Sequence, residues 1–261
     1  MSVAPVITER GAPPLPAPAA KAAPLSLGIV VPALNEAVIL DRALARLKQV
    51  AGRFPVVVVD GGSTDGSVEI ARRYFPTAVC SPANRGAQMN LGAQQINADV
   101  LLFLHADSEL PADFAANIER ALSDPRAVAG CFQLRFHSEA SGRRPMLRFY
   151  SWCTRFRGRF LHFGDQCYFV RREVFEAMGG YRELPFMEDV DFLRRLLAPG
   201  FLGLGRRHGK FVVLPAAVTT SARRFLRAGI VRQQIVNVLL VTLFEFGVPA
   251  RWLGKLYPHI R

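Results

Sequence analysis

From Leu27 onward the chain alternates between short apolar runs and segments whose apolar positions recur every three or four residues. Residues 27–31, 55–59, 77–80 and 100–104 read as buried strands. Residues 36–50, with Leu40, Ala43, Leu44 and Leu47 at helical spacing, read as the first helix. Ser63, Thr64 and Asp65 are cap residues for a helix that runs to Tyr74. Residues 86–96 and 111–122 give two more helices, the second with proline in its first turn. This order predicts an α/β fold: a Rossmann-like mixed sheet, mostly parallel, flanked by helices. Ligands of such sheets bind beyond the carboxyl ends of the strands.

The second half changes character. Residues 128–136 read as a longer strand and 145–157 as a basic amphipathic stretch with Phe149, Trp152, Cys153 and Phe156 on one face. A short strand over 166–170, helices over 172–178 and 189–197, and an edge strand over 211–214 follow, then a largely apolar helical region over 225–247. Residues 1–24 hold six Pro and seven Ala with no apolar period, which predicts a disordered tail. The expected organisation is that tail, one domain over 25–220, and a helical extension over 221–261 packed on the domain or on a membrane surface.

Apolar residues make up 50% of the 261, enough for a sizeable core. The longest uncharged stretch near the C-terminus, residues 233–244, has 12 residues. A membrane span needs roughly 20, and no basic and apolar leader opens the chain. A cytoplasmic protein, in peripheral contact with the membrane face at most, is the expectation. Four cysteines without a C-x-x-C pair read as idle thiols rather than a zinc or redox motif. The net charge of +12 is concentrated in residues 143–172 and 205–232, each at +7, so the rest of the chain is slightly acidic. Such segments attract phosphates, anionic lipid or nucleic acid, and charge alone does not choose among them.

Three of the first four strands run into a carboxylate. The first runs into Pro32-Ala33-Leu34-Asn35-Glu36, the second into Asp60-Gly61-Gly62-Ser63-Thr64-Asp65, the fourth into His105-Ala106-Asp107. Singly, these have ordinary readings: a hairpin turn at Asp60-Gly61, a helix cap at Asn35, a turn at Asp107. Together, three acids on one rim repel unless a cation or hydrogen-bond donors sit among them. A metal ion and a base or ribose would satisfy the rim.

The series Val31-Pro32-Ala33-Leu34-Asn35-Glu36, Val59-Asp60-Gly61-Gly62-Ser63-Thr64-Asp65, Arg85-Gly86 and Leu104-His105-Ala106-Asp107 resembles the family 2 glycosyltransferases of the GT-A fold. Gly179-Gly180-Tyr181 and Glu188-Asp189 match the same family in order and spacing. Within it the chain resembles a bacterial subgroup with Leu-His-Ala-Asp, Gly-Asp-Gln and Ser-Ala-Arg-Arg signatures, here ending in Asp107, Gln166 and Arg224. The resemblance implies an inverting, metal-dependent transfer of a sugar from a nucleoside-diphosphate-sugar to an acceptor hydroxyl. It places Pro32, Ala33, Asn35, Glu36, Asp60 and Arg85 along the nucleotide, and Asp107 at a divalent metal, Mg2+ or Mn2+. It places Asp189 as general base, next to Glu188. The first acid of the family's Asp-x-Asp motif is replaced by His105, a metal ligand, a phosphate donor or neither.

Four further residues are acceptor or phosphate candidates. Asp165, with Gln166, either positions an acceptor or pairs with a nearby Arg. Arg223 and Arg224 either close over the diphosphate or form a solvated basic face. Taken alone, Glu188-Asp189 is ordinary helix-start charge, and His208 an idle histidine. The amphipathic stretch and the C-terminal helix suit an anionic membrane and a lipid-linked acceptor, or simply pack on the sheet or a second subunit. Two other functions compete. A sugar-nucleotidyltransferase wants a Gly-rich basic loop after strand one, which residues 32–36 lack. A basic nucleic-acid-binding module leaves Asp60, Asp107 and Asp189 unexplained, so no nucleic-acid partner is expected.

Overall fold

The computed structural model describes residues 25–136, 145–155, 164–197, 209–222 and 229–257. The N-terminal tail, His208, Arg223 and Arg224 lie outside the described residues. Eight strands form one sheet: β1 (Leu27–Ala33), β2 (Val56–Asp60), β3 (Val79–Cys80), β4 (Val100–Phe103), β5 (Ser108–Glu109), β6 (Ala127–Phe136), β7 (Phe169–Arg171) and β8 (Lys210–Thr220). Their order is β3-β2-β1-β4-β7-β6-β8-β5. The β1–β2, β2–β3, β1–β4 and β6–β8 pairs are parallel, and β7 runs antiparallel between β4 and β6. This is the mostly parallel mixed α/β sheet that the alternating pattern predicts.

Nine helices are described: α1 (Ala37–Ala51), α2 (Ser67–Tyr74), α3 (Arg85–Gln95), α4 (Phe114–Leu122), α5 (Pro145–Cys153), α6 (Arg172–Ala177), α7 (Glu188–Leu196), α8 (Ile230–Glu245) and α9 (Ala250–Leu256). Leu40, Leu44 and Leu47 bury the apolar stripe of α1 in one core, with Ile29, Val31 and Leu102 from the sheet. The other face packs Met89 and Ala93 of α3 and Phe192 of α7 against Val30, Val57 and Leu101. Alternate residues of β1 thus feed opposite cores, as strand geometry requires.

Three local expectations are corrected. Helix α2 starts at Ser67, after Gly66, and not on Ser63, Thr64 or Asp65. Ser63 and the Thr64 amide are engaged between the loops, and Asp65 bonds forward to the starts of both helices, as described below. The strand expected over 166–170 is a 3-10 turn, Gly164–Gln166, followed by the shorter β7. Cys167 between them has φ 55°, which breaks the extended run. The short edge strand expected over 211–214 is the 11-residue β8, paired with both β6 and β5. Its register against β6 shifts between Cys131 and Gln133, which accommodates Pro215 without a ladder hydrogen bond.

The basic segments are also less free than their charge suggests. Arg171 donates to the Leu122 and Ala127 carbonyls, and Arg172 to those of Ala93, Ile96 and Ala98. Lys210 is paired with Asp124 at 3.1 Å. These cations secure helix ends and strand starts and are withdrawn from any partner.

Candidate active site

The chain builds β1, β2 and β3 outward, then returns to place β4 on the other side of β1. The crevice at such a reversal, beyond the strand ends, is where open α/β sheets hold ligands. Asp60 ends β2 on one side of β1, and the turn through His105 and Asp107 follows β4 on the other.

The β1 and β2 loops are knitted together. Asp60 is buried, and its Oδ2 accepts from the Gly62 and Ser63 amides at 2.8 Å. Its Oδ1 accepts from Ser63 Oγ at 2.5 Å. Ser63 Oγ in turn accepts from the Asn35 amide, and Asn35 Oδ1 from the Thr64 amide. Asn35 is therefore a bridge to the neighbouring loop and not the cap of α1. It reaches that position with φ 51°, a left-handed conformation that Asn tolerates. Asp65 completes the clasp, accepting from the Ala37 amide at the start of α1 and from Ser67 N and Oγ at the start of α2. Pro32 and Ala33 are buried at the end of β1, where the Ala33 carbonyl accepts from the Gly61 amide and Gln88 Nε2.

Helix α3 delivers Arg85 to the rim. Asn84 caps the helix by accepting from the Ala87 amide. One turn on, buried Gln88 donates from Nε2 to the Ala33 and Val59 carbonyls, both at 2.8 Å, pinning α3 across β1 and β2. Gly86 lies so close to the Arg182 carbonyl that a Cβ would meet it at 2.5 Å, which accounts for glycine beside Arg85. On the same helix Asn90 exchanges two 2.8 Å hydrogen bonds with the Tyr181 backbone. Gly180, at φ 66°, leaves room for that amide. The Gly179-Gly180-Tyr181 motif is thus the clamp that carries the following loop onto α3.

That loop ends at Met187, buried with φ 66°, and opens α7 with Glu188 and Asp189. Arg85 Nη1 stands 3.4 Å from Glu188 Oε1. Burial works against the Arg85 charge, but the fields of Glu188, Asp189, Asp107 and Glu36 outweigh it and raise its pKa. Four acids from three separate segments therefore act on one guanidinium, and Glu188 pairs with it directly. Burial raises the Glu188 pKa; Arg85 opposes this and Asp189 adds to it. Asn35, Cys167 and Met187 are the non-glycine residues with positive φ among those described, and all three border this crevice or its acids. Strain of this kind concentrates where geometry is imposed for function.

Asp165 lies in the 3-10 turn, and its charge acts on Tyr150, Cys167 and Tyr168; Asp189 acts on two of the same tyrosines. Gln166 is buried and donates from Nε2 to the Phe132 carbonyl of β6, so its amide is engaged in the sheet. Asp107 is half-buried, with Ser108 Oγ 3.5 Å from its Oδ1. No cluster of three or more His, Cys, Asp or Glu among the described residues is arranged to hold a metal by itself.

The sequence reading passed over Asp191. It is fully buried and accepts from Arg195 at 2.7 Å, Arg194 at 3.0 Å and Arg182 at 3.3 Å. Arg195 also donates to the Met178 and Gly180 carbonyls. This network fixes the first turn of α7 and hence Glu188 and Asp189. Gln88 and Asn90 were passed over too; their signal is polar side chains on the sheet-facing side of a helix.

A sequence profile of glycosyl transferase family 2 matches residues 28–179. A PGL/p-HBAD biosynthesis glycosyltransferase of Mycobacterium tuberculosis is 36% identical over 106 residues, 37% of this chain and 41% of that protein. The succinoglycan biosynthesis protein ExoA of Rhizobium meliloti is 34% identical over 113 residues, 38% of this chain and 32% of that protein. The matched stretch thus spans less than half the length of these curated relatives. The fold is similar to that of a mannosyltransferase from Pyrobaculum calidifontis in complex with GDP-Man and Mn2+ (TM-score 0.57, 19% identity, 90% of this chain and 70% of that one). It is also similar to S. aureus TarS 1–349 in complex with UDP-GlcNAc (TM-score 0.58, 14% identity, 90% and 77%). The profile match takes in β1, the Asp60 loop, Arg85 and the Asp107 turn, and covers more than half of the sequence: the chain is a member of glycosyl transferase family 2.

Proposed function

We propose that this chain transfers a sugar, with inversion, from a nucleoside-diphosphate-sugar to an acceptor hydroxyl. The observation that carries the reading is Arg85 at the crevice rim, 3.4 Å from Glu188 and within the fields of Asp189, Asp107 and Glu36. A cation within the fields of four acids suits a site that admits a diphosphate together with a divalent ion. Asp60 and Asn35, fixed by the bonds that tie their two loops together, line the nucleoside end; Arg85 faces the phosphates. Asp165 borders the acceptor side.

The residues present fit a magnesium or manganese ion held mainly by substrate oxygens. Asp107 offers one hard carboxylate at the rim, which is how such ions usually bind phosphates in proteins, with few protein ligands. His105, in the same turn, is the second candidate ligand. The bound ion would stabilise charge on the leaving diphosphate.

In the transfer the acceptor oxygen bonds to the anomeric carbon as the bond from that carbon to the phosphate oxygen breaks. The acceptor proton passes to the Asp189 carboxylate, and the nucleoside diphosphate leaves with the electron pair. Inversion needs one base, on the face opposite the leaving group. Glu188, buried and paired with Arg85, positions its neighbour. An Asp189→Asn variant should lose about 10²–10⁴ in kcat while nucleotide affinity, read by calorimetry, stays within about twofold. Full transfer activity in that variant would remove Asp189 from the role.

A further inference from the structure

We infer that α5, α8 and α9 form a docking surface for an anionic lipid membrane. Among the described residues, nine of the ten exposed large hydrophobic side chains lie on or beside these helices, 43–76% exposed. Helix α5 presents Phe149 and Trp152, stacked at 5.8 Å. Helix α8 presents Val231, Ile235, Val238 and Leu239. Phe246 and Trp252 follow on and before α9. Both α5 and α9 pack against α8, so these side chains belong to one unit.

The polarity of α8 is inverted relative to a helix that faces water. Its Gln233 is buried, donating to Asn237 and to Tyr257 Oη, while four branched apolar residues face outward. Its uncharged stretch is too short to cross a bilayer, and no helix among the described residues is long and apolar enough to do so. A helix of this kind lies in the interface.

Charge selects the occupant. Arg148, Arg155, Arg232, Arg251 and Lys255 are exposed on the same segments. Their one acid, Glu245, has Oε1 buried. Lys255 lies over the Trp252 ring at 5.5 Å, an aromatic anchor with a cation beside it. A two-fold dimer through this surface would set like charges against like, because an isologous interface opposes a patch to itself. An anionic headgroup layer answers both the apolar side chains and these exposed cations.

The inner sides of the same helices reach the site. Leu240, Val241, Phe244 and Leu253 pack on Met187 and Val190, which flank Glu188 and Asp189. Tyr150 of α5 lies within the fields of Asp165 and Asp189. Taken with the proposed transfer, on which this consequence rests, docking would bring acceptor hydroxyls carried at a lipid surface to Asp189.

The test is co-sedimentation of the full chain with vesicles of phosphatidylcholine containing about one-third phosphatidylglycerol, against vesicles of phosphatidylcholine alone. Trp152 and Trp252 are the only tryptophans in the sequence, so emission reports this surface directly. Binding to the anionic vesicles, a blue shift, and release by salt are expected. The Arg148→Glu/Arg251→Glu double variant should lower the partition at least about tenfold. Phe149→Ser/Ile235→Ser should abolish the blue shift with the circular dichroism unchanged. No binding to anionic vesicles at low salt would overturn the inference. So would a concentration-dependent blue shift without vesicles that accompanies dimerisation, which would assign the surface to a second copy. Nucleotide binding is measured without vesicles, so vesicle binding that fails while nucleotide binds removes only the docking surface. The converse result removes the transfer reading and leaves the surface standing.

Discussion

Asp189 and Asp191 stand two positions apart on one helical turn, and their surroundings give them different work. Asp191 is sealed beneath three arginines, whereas Asp189 is half-buried beside the crevice. Asp191→Ala leaves those cations without their common partner and should cost about 3 kcal/mol in urea unfolding. Arg182→Ala, which removes the most exposed of the three, should cost under about 1 kcal/mol. Glu188 makes a different prediction. Burial lifts its pKa above the ordinary value against the pull of Arg85, so the folded chain holds that proton more tightly than the unfolded one. Stability should therefore fall as pH rises from the ordinary carboxylate range through the raised value. Arg85→Ala removes the opposing pull, and its melting temperature should decline more steeply over that window. At this scale, Asp60, Asp107 and Asp189 were legible because strand ends and a helix start mark them. The burial of Asp191 was not, since Glu-Asp-Val-Asp puts three acids in one turn, and the Arg194 and Arg195 pairs on the same helix look like ordinary surface pairs until the fold adds Arg182 and the carbonyls that Arg195 also reaches.

Among the elements, α1 and α2 share a cap. Asp65 precedes α2, yet its carboxylate serves the first amides of both helices. Burial pushes its pKa up, but hydrogen bonds from the Ser67 side chain and the Ala37 and Ser67 amides outweigh this and hold it below the ordinary value. Its stabilising effect is present above the unfolded pKa and lost as pH falls through the lower folded one. Asp65→Ala should cost about 1 kcal/mol at neutral pH, and the gap to the parent should close in acid, as chemical denaturation at several pH values will show. Strands β1, β2 and β4 and helices α1, α3 and α4 were readable because each has a clean period or turn residues at its ends, whereas the two-residue β5 carries no such signal. The α2 start was misread because loop-to-loop bonding takes up Ser63 and the Thr64 amide, leaving Asp65 alone of the three to serve the first turn of α2. Strand β8 was misread because Pro215 ordinarily ends a strand, and a register shift against β6 excuses it. Neither cause is local in sequence.

Across the whole molecule, one sheet reversal decides where chemistry can occur. It sets the β1–β2 clasp, the Asp107 turn, α3 and the start of α7 around a single crevice, with Arg85 as the common neighbour. The acidic rim and Arg85 were legible in the sequence; the pairing of Arg85 with Glu188, and the α8–α9 packing behind Met187, came only with the fold. The most direct measurement is the thermal shift produced by UDP and GDP, each with and without Mn2+, on the parent, Asp107→Ala and Asp60→Ala. A nucleotide at about 100 times its Kd should stabilise the parent by about 2.7 kcal/mol. The account predicts that one nucleotide does so, that Mn2+ deepens the shift, that Asp107→Ala abolishes the metal dependence, and that Asp60→Ala weakens the shift with and without metal. No shift with either nucleotide, or a shift unchanged in both variants, would contradict it.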